Sequence, residues 1–132
     1  MLGLNTAAYR LFRGRLPGPT MLLLTTVGAK SGAERTVPLQ YFSDGPDAWV
    51  IVASAGGDAK HPAWYRNLAA NPDRVWIEVG DRRIQVRPQS LRGEERAERW
   101  RRITEKARNF AGYERTTDRE IPVVRLTPVE QT

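Results

Sequence analysis

The 132-residue chain has no cysteine and one histidine, His61. Disulfides, thiol nucleophiles, thiolate metal sites and histidine-rich metal sites are therefore excluded. Long apolar runs are missing too. Met21–Leu24 falls far short of the roughly 20 residues that span a bilayer. Met1–Leu4 carry no basic leader, so a cytoplasmic protein is the expectation. There is no internal repeat, low-complexity tract or linker. Asp44, Asp47, Asp58 and Asp118 all lie near turns, and no two have the spacing of a catalytic carboxylate dyad.

What is present is charge of one sign. Lys and Arg number 21 against 15 Asp and Glu, a net charge of +6, which favours an acidic partner: a polyanionic small molecule, nucleic acid or an anionic membrane surface. With 40% hydrophobic residues the chain can bury one core, and its length suits one domain of about 100–150 residues.

Residues 3–13 predict a short helix with Leu4, Ala7, Ala8 and Leu11 on one face, ended by Gly14 to Pro19. Its Arg10, Arg13 and the following Arg15 suggest weak peripheral membrane contact, or the helix simply covers the domain. We read 1–19 as a helical or linker segment and 20–132 as the domain. Extended segments are expected over Thr20–Val27, Arg35–Ser43 and Ala48–Ser54, the last two as a hairpin around Asp44–Asp47. Ala63–Ala70 predicts a helix opened by Pro62 and stopped by Asn71-Pro72. Val75–Val79 and the run through Ile84 and Val86 form a second hairpin over Gly80-Asp81. Glu94–Ala107 is the clearest helix, with Ala97, Trp100, Ile103 and Ala107 on its apolar face. It has i,i+4 pairs at Glu95/Arg99, Glu98/Arg102 and Arg101/Glu105. Ile121–Leu126 closes the domain. About six strands with three inserted helices imply an antiparallel α+β domain shaped as a small barrel.

Two loops stand out. Thr25–Arg35 and Ser54–Tyr65 each follow an apolar strand and place small residues beside a cation. Backbone N–H groups there can approach an anion while Lys or Arg supplies full charge. The first loop lacks the spacing of a nucleoside-triphosphatase P-loop, and it reads equally as a hairpin turn with Lys30 solvated. Ser31, between Lys30 and Arg35, is a candidate donor to a ligand oxygen. In the second loop Gly56-Gly57 has no ordinary strand role. Lys60 and His61 precede an electropositive helix N-terminus, although His61 also fits as a packing residue. Trp64, Tyr65 and Leu68 recur at helical spacing and fit a core. Tyr113, in the aromatic stretch Phe110–Tyr113, is a candidate proton donor or a packing residue.

Four collinear motifs carry a resemblance: Leu22–Gly32, Arg35-Thr36-Val37-Pro38-Leu39, Lys60–Leu68 and Thr117–Val123. Together the chain resembles the deazaflavin-dependent nitroreductase family, whose members use coenzyme F420. The resemblance implies a split β-barrel of the flavin-binding type. It implies that Lys30, Ser31, Gly32 and Arg35, with Lys60, hold the phosphate and the acidic oligoglutamate tail. Ala53, Ser54, Ala55, Gly56 and Gly57 would run along the deazaflavin, with Thr26, His61, Trp64, Tyr65 and Asn67 as further cofactor contacts. Phe110 and Tyr113 would face the substrate. Ala29 and Phe110 depart from the pattern, standing where a second basic residue and a tyrosine are common, and Thr116 replaces an aromatic found in some members. These departures leave cofactor binding in place and weigh against nitroimidazole-type reduction.

The resemblance implies an F420H2-dependent reductase that passes a hydride to a quinone, an enone or a nitroaromatic, with Tyr113 or water supplying the proton. FMN is the alternative cofactor, and no metal is implied. The substrate is a small hydrophobic molecule, and the protein is a monomer or homodimer. A cofactor carrier without turnover is a second reading. A nucleic-acid-binding barrel is a third, motivated by charge and by Trp49, Trp64, Trp76 and Trp100; these tryptophans fit core positions better than stacking platforms.

Overall fold

The computed structural model describes residues 20–53, 61–107 and 120–129. Seven antiparallel strands form one curled sheet in the order β2-β1-β5-β6-β7-β4-β3. In chain order they are β1 (Met21–Val27), β2 (Glu34–Gln40), β3 (Phe42–Ser43), β4 (Trp49–Val52), β5 (Trp76–Val79), β6 (Arg82–Ser90) and β7 (Val123–Pro128). Helix α1 (Ala63–Ala70) lies between β4 and β5, and α2 (Gly93–Lys106) between β6 and β7. This is the split-barrel architecture. The expected helix over 3–13 lies outside the described residues. No helix among them is long and apolar enough to cross a membrane.

Strand β6 makes the sheet curl, because it pairs with two neighbours in succession. Its first half, Arg82 to Gln85, is antiparallel to β5 through the tight turn at Gly80-Asp81, where Gly80 takes a φ of 62°. Its second half, Val86 to Ser90, pairs with β7. The other transfer is at Tyr41. The single extended run expected over Arg35–Ser43 breaks there: β2 pairs along all of β1, and only Phe42-Ser43 pairs with β4. The Tyr41 amide bonds the Thr20 carbonyl at 3.0 Å, the last bond in the β1–β2 register before the chain crosses to β4. Its ring packs on the core, and burial raises its phenol above the ordinary value, keeping it neutral. That break is why the described residues form seven strands rather than about six, and why the expected hairpin shrinks to its last two residues.

The period of two sorts β4 and β7 onto two cores. Trp49, Ile51, Val124 and Leu126 face inward with Leu22, Leu24, Ile77 and Val86, and α1 closes this cluster with Trp64 and Leu68. Val50, Val52 and Val123 face outward to Leu91, Ile121 and Ile103 of α2. Strand β4 is therefore buried on both faces, which explains its unbroken apolar sequence. Trp49 and Trp64 are core residues, Trp76 lies under Arg83, and Trp100 packs under Arg96. Stacking platforms for bases are not what these side chains form.

Helix α2 departs from its expected face by one position. Ala97 is exposed, and Arg96 takes the buried place beside Trp100 and Ile103. Its guanidinium Nη2 donates to the Ile121 carbonyl at 2.6 Å and its Nε lies 3.5 Å from Glu120. The expected Glu98/Arg102 and Arg101/Glu105 pairs form, at 2.9 and 3.4 Å. Glu95 and Arg99 are instead drawn to tertiary partners: Arg99 to Asp44 at 3.1 Å and Glu95 to Arg125 at 2.8 Å. The second oxygen of Asp44 also lies 3.6 Å from Arg125. One carboxylate thus ties the β3–β4 turn to α2 and β7.

On the opposite side, α1 is fastened to β1 by two asparagines. Asn67 is buried; its Oδ1 accepts the Ala29 amide at 3.1 Å and its Nδ2 donates to Thr26 Oγ1 at 3.3 Å. Asn71 Nδ2 donates to the Val27 carbonyl at 3.3 Å.

Two stability outcomes are expected. Asp44→Asn leaves two largely buried guanidiniums facing a neutral amide and should cost about 1–3 kcal/mol in urea unfolding, between the values for buried and exposed pairs. Arg101→Ala, which breaks an exposed pair, should cost about 0.5 kcal/mol or less; equal losses would refute the tertiary role of Asp44. Asn67→Leu strands the Ala29 N–H and should cost about 1–3 kcal/mol. Hydrogen exchange should then accelerate at Ala29 while the β1 amides stay protected, and unchanged protection at Ala29 would remove the clamp.

Candidate functional site

The loop from Gly28 to Ala33 joins β1 to β2 and is closed on itself. The Gly28 amide donates to the Ala33 carbonyl at 2.8 Å and the Gly32 amide to the Gly28 carbonyl at 3.0 Å. Two glycines make this possible. Gly32 has a φ of +72°, which side-chain-bearing residues rarely adopt, and a Cβ on Gly28 would lie 2.5 Å from Ser31 Oγ. Ser31 Oγ accepts the Ala33 amide at 3.2 Å, which leaves its hydroxyl proton available to a ligand. The loop lies across from the first turn of α1, held there by Asn67.

Between loop and helix is a cleft of about 680 Å³, lined by the loop residues Gly28–Ser31, by Thr26, Arg35 and Val37 of the strands, and by Ala63, Trp64, Arg66 and Asn67 of the helix. Its volume falls within the range of about 300–1,000 Å³ usual for small-molecule sites. Among the described lining residues three side chains are cationic, Lys30, Arg35 and Arg66, and none is acidic. All three cations are exposed, and no carboxylate of the described residues pairs with them. Val37, Ala63 and the Trp64 ring give the cleft an apolar wall. The first turn of α1 has no acidic residue, so its positive dipole end is not offset locally.

The sequence-predicted residues divide into three groups. Thr26, Lys30, Ser31, Arg35, Trp64 and Asn67 come together around the cleft, and Gly32 sits in the same loop. Thr26 is fully buried, so it forms the floor and its hydroxyl takes the Asn67 amide. A second group lies elsewhere. Ala53 is buried in the core, with its amide on the Pro122 carbonyl. Tyr65 turns its hydroxyl to Ser90 Oγ at 3.2 Å, and the His61 ring packs edge-on to it at 5.0 Å. The third group, Ser54, Ala55, Gly56, Gly57, Lys60 and Tyr113, lies outside the described residues. Among the described residues there is no cluster of three or more His, Asp or Glu that could hold a metal.

Sequence reasoning missed Arg66. A signal was available, since Ala63, Arg66 and Asn67 stand at i, i+3 and i+4 on one side of α1. Arg66 Nη1 donates to the His61 carbonyl at 3.1 Å, which steadies the guanidinium at the cleft edge.

The donor set of this cleft fits the phosphate and carboxylates of a deazaflavin tail. Comparison with known proteins gives the family. The family model for F420H(2)-dependent quinone reductases matches residues 2–128. The chain is similar to an F420H(2)-dependent quinone reductase of Mycobacterium tuberculosis, 45% identical over 135 residues that cover 96% of this chain and 89% of the relative. It is similar to the solved structure of an F420-H2 dependent reductase (FDR-A), with 42% identity and a TM-score of 0.71 over 80% of this chain and 92% of the other. A solved chain described as a domain-swapped dimer matches with 38% identity and a TM-score of 0.74, over 91% and 92% of the two chains. Family model and relatives together assign the chain to the F420H(2)-dependent quinone reductase family, oxidoreductases that use coenzyme F420.

Proposed function

We propose that the cleft between the β1–β2 loop and α1 holds the phosphate and acidic tail of reduced F420, and that the protein reduces a quinone. The observation that carries this reading is the cleft's one-sided charge: Lys30, Arg35 and Arg66, with no acidic side chain among the described lining residues. When bound, the cofactor supplies a hydride, which converts a quinone to the quinol monoanion, and one proton then completes the quinol.

The chain's own residues do the holding. The Lys30 ammonium is a compact charge at the loop tip, suited to a phosphate. Arg35 presents a planar fork that takes a carboxylate or phosphate through two parallel bonds. Ser31 donates its hydroxyl to a ligand oxygen while its lone pair keeps the loop closed, and Gly32 and Gly28 keep the backbone free of side chains there. Trp64, with Val37 and Ala63, gives an apolar wall that excludes water from one side of the ligand. Thr26 and Asn67 act behind that surface, setting the loop's distance from the helix. Ser54 to Gly57 and Lys60, which follow β4 in sequence, extend the same role toward the ring. Tyr113 is the proton donor. The family relationship supports a quinone ahead of an enone or nitroaromatic.

Titration of F420H2 by fluorescence at several salt concentrations tests the tail assignment. Lys30→Ala and Arg35→Ala should each weaken binding by about tenfold or more, the worth of a charge-assisted hydrogen bond, and each should flatten the salt dependence. Unchanged affinity and salt dependence in both would overturn the assignment, and tighter binding of FMN than of F420 would overturn the cofactor. Tyr113→Phe should lower the rate of quinone reduction by about 100-fold or more with cofactor affinity unchanged, as for loss of a general acid. A rate like the parent's would transfer the proton to water.

A further inference from the structure

We propose that Arg66 is a third tail-binding cation, that it supplies from α1 the charge the loop lacks at Ala29, and that it sets the protein's preference for tail length. The proposal rests on the tail reading of the cleft given above. Ala29 and Arg66 both line that cleft. They are also mechanically joined: the Ala29 amide is bonded to the side chain of Asn67, the residue after Arg66. A positive charge at residue 66 stands at the same opening as residue 29 but arrives from the helix side.

The local energetics of Arg66 call for an anion. It is the fourth residue of α1, within the first turn, where the helix dipole disfavours a cation. No acidic residue occupies that turn, and no carboxylate of the described residues pairs with the guanidinium. A cation placed against the dipole without a counter-charge breaks a local rule, and such breaks gather at functional sites. The guanidinium is nevertheless held, since Nη1 donates to the His61 carbonyl. One of its five N–H donors is used there, and the fork is already oriented before a ligand arrives. Lys30 and Arg35 belong to the loop and the strand after it, so Arg66 faces them from the other wall. A short tail can meet the loop side alone, whereas a longer one carries further carboxylates to bridge the two walls.

The test compares affinities for short-tailed F420, long-tailed F420 and the tail-less deazaflavin alcohol by fluorescence titration. The parent protein should bind in the order long, short, tail-less. Arg66→Gln should lose about fivefold to tenfold on the long-tailed form, a charge-assisted contact at a solvated rim, much less on the short-tailed form, and nothing on the tail-less alcohol. The double variant Ala29→Arg with Arg66→Gln should recover long-tailed binding. Three results would overturn the proposal: parent-like affinities in Arg66→Gln, an equal loss on all three ligands, which marks a purely structural role through His61, or no recovery in the double variant. If the parent itself does not distinguish tailed from tail-less cofactor, the tail reading of the whole cleft falls with it. If Lys30→Ala and Arg35→Ala lose tail affinity and Arg66→Gln does not, only the Arg66 assignment falls.

Discussion

The carboxamide of Asn67 is the interaction on which the site's geometry depends. It is buried, and both of its ends are used: one on the Ala29 amide of the loop, one on the Thr26 hydroxyl of β1. Without it the loop would close on itself through its own backbone bonds, but no side chain of α1 would bond the loop itself. The distance between loop and α1 is the width of the cleft. An asparagine suits the position because it offers donor and acceptor on one short, stiff side chain, so a mismatch at either end leaves a buried polar group unpaired. Asn71 repeats the device one turn later, on the Val27 carbonyl. The helix that packs Trp64 and Leu68 into the core is therefore also the helix that places the loop.

The cations of the α2 side and those of the cleft serve different ends. On the α2 side, positive groups are consumed by structure: Arg99 and Arg125 by Asp44, Arg125 by Glu95, Arg96 by the Ile121 carbonyl and Glu120, Arg102 by Glu98. On the α1 side, Lys30, Arg35 and Arg66 have no carboxylate partner among the described residues. Part of the positive charge is neutralised where a helix must be fixed to two strands, and part is left bare around a cleft. Net charge alone could not distinguish an acidic small molecule from nucleic acid; this partition favours the small molecule, and burial of Trp49 and Trp64 removes much of the argument for base stacking.

Much of this fold was legible because its signals are local. The helix bounds Ala63–Ala70 follow from Pro62 and Asn71-Pro72, the β5–β6 turn from Gly80-Asp81, and β1 from its apolar run. What the sequence hid depends on tertiary partners. Nothing near Tyr41 announces a break; it arises because β2 must pair with β1 while Phe42 crosses to β4. Arg96 reads as a solvated helix charge until the Ile121 carbonyl is brought beside it. Glu95 and Arg99 look like an i,i+4 pair, yet Asp44 and Arg125 offer partly buried partners, where an ion pair is screened less by water. The site shows the same division. Lys30, Ser31 and Arg35 stand together in sequence and were found together. Arg66 enters only once α1 is docked opposite the loop.

Ala29 shows why such a site can redistribute charge without rebuilding its scaffold. The structure uses this residue through its backbone amide, and its side chain is exposed at the cleft. A change of side chain there leaves the Asn67 bond, the Gly28–Ala33 closure and the core untouched. Arg66 is likewise exposed and lies between two buried anchors, Trp64 and Asn67–Leu68, that fix the helix whatever residue 66 is. Both positions are free to carry or lose a cation at little cost to folding, unlike Asp44 or Arg96, whose charges hold elements together. Tail recognition is thus open to adjustment on two walls of a cleft whose width is set independently, by the carboxamide between them.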